Sequence, residues 1–249
     1  MIYFASDVHL GSGTPQEART TERRFVAWLD MAARDAEAVF LLGDIFDFWF
    51  EYRRVVPQGF VRTLGKFAEL TDRGIRVAFF PGNHDMWTGP YLAHECGIEI
   101  HQAPHTVTLH GRRIFIAHGD NLNIHGQPAL RLLNRIFRSR VLRRLFAWGL
   151  HPDLAMRFGQ WWSSKSRKAH RTAGPADPSA TEPLIAYARS YAAAHPGERI
   201  DHFVFGHMHV ARDFRDGILH TVHLGCWETA PAYAVLSPDG ELSLKRFEP

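Results

Sequence analysis

Short runs of β-branched and aromatic residues recur along the chain, each closed by a polar cluster: Ile2 to Ser6, Ala38 to Leu42, Ile75 to Phe80, Ile114 to Ala117 and His202 to Phe205. Continuous apolar runs of this length, without strict alternation, predict strands buried on both faces. Helical spacing fills the gaps between the first three, over Gln16 to Arg34 and Gln58 to Arg73. Strand and helix in alternation predict right-handed β-α-β connections and a largely parallel sheet. Towards the C-terminus the helices drop out, and Ile218 to Leu224, Tyr233 to Ser237 and Leu242 to Phe247 read as strands. The turn residues Pro238-Asp239-Gly240 separate the last two, which predicts an antiparallel portion.

From Pro128 to Arg171 the period is helical again. Over Ala129 to Leu150, one amphipathic helix is predicted. Leu130, Leu133, Phe137, Val141, Leu145 and Trp148 recur at steps of three or four, with Arg131, Arg135, Arg138, Arg140, Arg143 and Arg144 mainly elsewhere. Between Arg131 and Arg171 stand 11 Lys or Arg and a single acidic residue, Asp153, so the basic charge of a chain whose net charge is only +3 is concentrated here. Ala173 to Pro183, rich in Pro and small residues, reads as an exposed connection. The expectation is one domain over residues 1–249 with a basic helical insertion over 121–183. Two readings of the helix stand: an apolar face packed on the core with solvated arginines, or a face lying in an anionic membrane surface.

Composition narrows the class without naming it. The apolar share of 45% and charged share of 22% are those of an ordinary globular protein. Cys96 and Cys226 are far apart and lack metal-ligand spacing, so neither a disulfide framework nor a zinc knuckle is expected, and a reducing cytoplasm fits best. The start Met1-Ile2-Tyr3-Phe4-Ala5-Ser6-Asp7 has no basic, apolar leader, and no spanning apolar run is present.

The chemistry stands at the strand ends: Asp7-Val8-His9, Gly43-Asp44, Gly82-Asn83-His84-Asp85, His118-Gly119-Asp120 and Gly206-His207-Met208-His209. In an open α/β sheet, residues beyond the carboxyl ends of the strands converge on one crevice. Asp, His and one Asn together suit borderline divalent ions such as Mn, Fe or Zn better than calcium or a thiolate site. His101, His105, His110, His125, His151, His170 and His195 have no such company and read as structural or solvent-facing. Asp120 reads either as a substrate or water contact or as a turn former. Trp161-Trp162-Ser163-Ser164-Lys165-Ser166-Arg167-Lys168 offers hydroxyl and cationic donors, with Ser164, Lys165, Arg167 and Lys168 as candidates to grip a diphosphate; the same segment also reads as a solvent-facing helix end.

The ordered set D-x-H, G-D, G-N-H-D, a later His and G-H-x-H resembles the signature of the calcineurin-like metallophosphoesterases. The resemblance implies an α/β sheet sandwich flanked by helices. It implies one ion on Asp7, His9, Asp44 and His209 and a second on Asp44, Asn83, His118 and His207, with Asp44 bridging. It also implies that His84 donates to a phosphoryl or leaving-group oxygen while Asp85 orients its ring. Two cations about 3.5–4 Å apart activate water at neutral pH and neutralise phosphoryl oxygens during in-line attack.

Within that superfamily the chain resembles the UDP-2,3-diacylglucosamine diphosphatases of lipid A synthesis over nearly its whole length. The residues are Phe4-Ala5-Ser6-Asp7-Val8-His9-Leu10, Leu42-Gly43-Asp44-Ile45-Phe46-Asp47-Phe48-Trp49, His118-Gly119-Asp120, the Ser/Lys-rich helix around Ser163 to Lys168, and Leu224-Gly225-Cys226-Trp227. That resemblance implies hydrolysis of a lipid-linked UDP-sugar at the α-phosphorus with two divalent ions, Mn foremost. It also implies work at the anionic inner-membrane surface, on the cytoplasmic side, in a Gram-negative bacterium. One branch reads Gly-Asn-Arg-Asp where this chain has Gly82-Asn83-His84-Asp85, so a neighbour of the scissile phosphate differs. Other phosphoesterase activities and a non-catalytic scaffold are the rival readings; no nucleic acid and no obligate protein partner are expected, because the arginines alternate with large aliphatic residues.

Overall fold

The computed structural model describes residues 1–122, 128–171 and 177–248; for Leu130, Leu133, Arg140 and residues 164–171 only the backbone is described. Two sheets lie face to face between helical layers. The first contains β1 (Ile2–Ala5), β2 (Ala38–Leu41), β3 (Arg76–Phe79) and β4 (Glu99–Ile100) in parallel register, with β10 (Ala232–Leu236) and β11 (Leu242–Arg246) added antiparallel beside β1. The second runs β5 (His105–Leu109), β6 (Arg112–Ala117), β7 (His202–Phe205), β9 (Leu219–Leu224), β8 (Ala211–Asp216), with β6, β7 and β9 parallel. The single largely parallel sheet expected from strand-helix alternation is therefore two mixed sheets, in keeping with the sandwich the resemblance implies.

Alternation along each strand divides its side chains between layers. Tyr3, Val39, Leu41 and Phe79 face α1 (Pro15–Ala32) and α2 (Val61–Asp72), meeting Phe25, Trp28, Leu29, Phe67 and Leu70. Ile2, Phe4, Phe40 and Phe80 face the other sheet and meet Ile114, Ile116, Val204 and Val222. Phe115, Phe203 and Phe205, on that sheet's outer face, are covered by Leu184, Ile185 and Ala188 of α7 (Glu182–Ala194). Each fully buried large apolar side chain stabilises the fold by about 1.5–3 kcal/mol. Thr14 caps α1 in a capping box with Glu17, and Pro15 follows it, so the start of α1 is fixed locally.

The insertion is helical, but the single helix expected over Ala129 to Leu150 is two: α4 (Pro128–Phe137) and α5 (Arg140–Gly149), followed by α6 (Pro152–Arg171). Ser139 sits extended between them and accepts from Leu142 N, which starts a new helix. The packing face also differs. Phe137, Phe146, Ala147 and Met156 pack on Phe48, Phe50 and Trp87 of the core, whereas Val141, Leu145 and Trp148 of the expected apolar face point outward. Among the described residues no helix is long and apolar enough to cross a membrane.

Candidate metal centre

The parallel strands β1, β2, β3, β6 and β7 all finish at one edge, and the segments just beyond them interlock. Asp7 N donates to Gly43 O, His9 N to Asp44 O, Gly206 N to His118 O, and His207 N to both Asp7 carboxylate oxygens. The chain must turn sharply there. Among the described residues seven non-glycine residues have positive φ, and five belong to this edge: Asp7, His9, Asp44, His207 and His209. Each such conformation costs about 1–3 kcal/mol and persists only where the surroundings enforce it. Glycine makes the closest approach possible: a Cβ on Gly82 would fall 2.2 Å from Asp44 Oδ1 and 2.7 Å from His118 Nε2.

The side chains converge in two overlapping groups. Ligand atoms of Asp7, His9, Asp44 and His209 lie within 4.8 Å of one another, and so do those of Asp44, His118 and His207. Asn83 joins the second group, its Oδ1 3.4 Å from His118 Nε2, and Asp44 is common to both. All seven residues that sequence reading singled out as ligands are thus brought to one place.

The donor set fits divalent cations. His9 Nε2 and His209 Nε2 face each other at 3.1 Å, and His9 Nδ1 is buried with no hydrogen-bond partner. Asp7 and Asp44 are buried, and among the described residues no Lys or Arg pairs with either. His118 donates from Nδ1 to Leu42 O at 2.7 Å, which leaves Nε2 to face the centre, the arrangement of an oriented metal-binding histidine.

Electrostatics agree. Burial pushes His9 down to about 3 and His207 down to about 4, so both imidazoles are neutral, the form that ligates. Burial alone raises the Asp7 and Asp44 carboxyls, but their histidine neighbours outweigh it: His209 and His118 hold Asp7 below the ordinary range, and His118 and His84 hold Asp44 well below it. His118 itself is opposed by burial yet held well above its usual value by the Asp44 carboxylate. Two carboxylates thus remain ionised in a buried site, as cation binding requires.

The roles of the flanking residues are partly corrected. Asp85 does not reach the His84 ring. Its carboxylate accepts from the backbone N–H groups of Asp44, Ile45, Phe46 and Gly82, so it ties the second and third ligand segments together. Burial and the Asp44 charge raise it to about 7, against the pull of those N–H groups. His84 is oriented instead by the Asp47 carbonyl, 2.9 Å from Nδ1, and by Ser163 Oγ at 3.0 Å. Its Nε2 points towards Asp44 Oδ2, 3.9 Å away. Asp120 lies at the rim in an ion pair with Arg138 of the insertion, 2.7 Å apart.

Two participants were missed. Asp47 lies between His9 Nδ1 and His84 Nδ1, at 3.6 and 3.8 Å, and its position three residues after Asp44 was the available signal. Ser163 brings a hydroxyl into the site, buried against Asp47 O. The side chains of Ser164, Lys165, Arg167 and Lys168 lie outside those described, along the backbone of α6.

Overlapping Asp and His groups at one strand edge are the donor set of a metal-dependent phosphoesterase, and the chain belongs to the calcineurin-like phosphoesterase family, whose model matches residues 1–211. It is a metal-dependent hydrolase of the phosphoester and phosphoanhydride class. Among its relatives, the UDP-2,3-diacylglucosamine hydrolase of Porphyromonas gingivalis is 38% identical, covering 94% of this chain and 93% of the relative. The enzyme of the same name from Haemophilus ducreyi is 32% identical over 67% of this chain and 68% of its own. That from Vibrio vulnificus is 35% identical over 58% of this chain and 56% of its own. An archaeal phosphodiesterase of solved structure aligns over 99% of each chain at 12% identity and a TM-score of 0.47, a distance at which it decides nothing.

Proposed function

We propose that this enzyme hydrolyses UDP-2,3-diacylglucosamine at the α-phosphorus, giving UMP and 2,3-diacylglucosamine 1-phosphate, with Mn as its metal and an anionic membrane as its workplace. What carries the reading is the near full-length similarity to the Porphyromonas gingivalis enzyme. The aromatic insertion seated beside the site supports it.

In this reading Asp7, His9, Asp44 and His209 hold one divalent cation, and Asp44, Asn83, His118 and His207 the other. When bound, the pair supplies the positive charge that acidifies water near neutral pH and neutralises phosphoryl oxygens. The chain's own residues do the rest. With the Nδ1 proton of His84 directed at Asp47 O and Ser163 Oγ, Nε2 is the atom that exchanges a proton with a phosphoryl or leaving-group oxygen. Asp85 acts indirectly, by fixing the ligand segments. A bond forms between water oxygen and the α-phosphorus, and the bond from that phosphorus to the bridging oxygen breaks.

Beside His84 and Asn83 lies a slot lined by Phe48, Met86, Trp87, Phe137, Phe158 and Trp162, the right chemistry for acyl chains. Its volume of about 30 Å³ admits no chain as it stands, so α6 must lift for the lipid to enter. The outward residues Val141, Leu145 and Trp148 sit beside Arg143 and Arg144, which with Arg53 and Arg54 border a groove of about 940 Å³. An apolar rim with arginines behind it suits an anionic bilayer, the acyl boundary taking the rings and lipid phosphates the guanidinium groups.

Product analysis tests the substrate. The protein is incubated with Mn and UDP-2,3-diacylglucosamine in water enriched in heavy oxygen. Label in UMP is the expected result; label in the lipid phosphate, or no turnover beside activity on a simple phosphodiester, rejects it.

A further inference from the structure

Strand β9 runs parallel to β7 and so ends at the ligand-bearing edge, where the segment after it is held from several sides. Gly225 has a φ of +76° and lies so close to Ala211 that an added Cβ would fall 2.9 Å from the Ala211 Cβ. Trp227 N donates to Asp7 O at 3.1 Å, and the Trp227 ring is fully buried, edge-on to Phe25 and Trp28. Between these two fixed points sits Cys226, 4% exposed. Its Sγ and ligand atoms of His9 and His209 lie within 4.8 Å of one another. The backbone N–H groups of Glu228 and Thr229 point at the same sulfur.

We propose that Cys226 is a further ligand of the ion held by Asp7, His9, Asp44 and His209. The inference rests on the two-ion reading above. His9 and His209 belong both to the group with Cys226 and to the group with the two carboxylates, so the sulfur addresses that same ion and not a separate one. A span of 4.8 Å is close to that of donors set about 2.0–2.3 Å from one zinc ion. Backbone N–H groups aimed at sulfur stabilise the thiolate, which is the form that ligates. Burial and the Asp7 charge raise the free thiol, so the ion displaces its proton to water on binding. Cys96, the other cysteine, is buried in the apolar core and joins no such group among the described residues. The two ions are then unlike. A soft sulfur donor draws a thiophilic ion such as Zn, Fe or Co to the first position, whereas Asp44, Asn83, His118 and His207 offer only oxygen and imidazole nitrogen, which Mn accepts.

The test strips the full chain with chelator and reloads it with Co(II) to saturation. The expected result is a near-ultraviolet sulfur-to-cobalt charge-transfer band in the wild type and in Cys96→Ser, and its loss in Cys226→Ser. In competition with a chromophoric chelator, Cys226→Ala is expected to hold Zn at least about tenfold more weakly while its affinity for Mn stays that of the wild type. X-ray absorption at the zinc edge needs no variant: the wild type loaded with one equivalent of zinc is expected to show a sulfur neighbour at about 2.3 Å. A shell of nitrogen and oxygen alone, or a cobalt band that persists in Cys226→Ser, overturns the ligand. Failure of the two-ion reading looks different, since the wild type then binds fewer than two ions of any kind at saturation. Two bound ions without a sulfur neighbour leave that reading intact and remove Cys226 alone.

Discussion

The hydroxyl of Ser163, on α6, lies 3.0 Å from His84 Nδ1, and both groups bond the same carbonyl oxygen, that of Asp47. The insertion thus reaches His84 through one buried side chain. Ser163→Ala removes that link while leaving the Asp47 carbonyl in place. A single hydrogen bond contributes about 0.5–1.5 kcal/mol, so kcat is expected to fall roughly 3–10-fold. Metal content by elemental analysis should remain that of the wild type. An unchanged kcat would remove Ser163 from the positioning of His84.

Asp44 is the one carboxylate common to both ligand groups. Asp44→Ala is expected to lose at least three orders of magnitude in activity and to retain less than one metal ion per chain after desalting. His207→Ala, which touches only the second group, should keep about one. Equal retention by the two variants would contradict the shared position of Asp44.

Gly159 faces the Phe48 ring so closely that an added Cβ would come within 2.4 Å of its carbons. Gly159→Ala must therefore lift α6 or turn the ring. The expected outcome is a several-fold loss with the lipid substrate and little change with a small phosphodiester, read from parallel steady-state assays. Matching losses on both would mean that α6 supports the metal centre itself.

Trp148 is 89% exposed and Leu145 57% exposed, so replacing both with Glu removes little packing. The melting temperature is expected to hold within a degree or two, while co-sedimentation with vesicles containing anionic phospholipid falls by an order of magnitude. Vesicle binding that survives the double change would turn attention from α5 to another surface.

His223 is fully buried with both ring nitrogens unpartnered, and burial, helped by the Arg212 charge, lowers it to about 3. Its folded-state value lies below the unfolded one, so the unfolded chain binds the extra proton between the two. Stability is therefore complete above about pH 6.5 and declines as the pH falls towards 3. At pH 5 the loss from this residue is about 2 kcal/mol. Melting curves recorded in chelator should show His223→Phe falling less steeply than the wild type from pH 7 to 5; parallel slopes would clear His223 of the acid sensitivity.

The strand ends were legible because their signals are local. A buried run ending in Gly-Asp or Gly-His announces both the turn and the ligand. β5 and β8 were not legible, since each carries few apolar residues, Val107 and Leu109 in one and Phe214 in the other, only partly buried at the sheet's edges where pairing with β6 and β9 holds them. The packed face of α5 was misread for a related reason: periodicity marks where the apolar residues are, not which of them meet Phe50 and Trp87. The partners of Asp85 and Ser163 are tertiary facts, fixed by N–H groups and a carbonyl that no spacing in the sequence displays.

The left-handed backbone at Asp7, His9, Asp44, His207 and His209 has a bearing on how this chain ages under mutation. Glycine would take that conformation without strain. Asp7→Gly would nevertheless give up the histidine pairing that holds the carboxyl ionised and leave His207 N without its acceptor, and Asp44→Asn would lose the pairing with His118 and His84. Bend and charge at this edge are therefore bound to one another, and a lineage that drops one ligand loosens the backbone that aims the next.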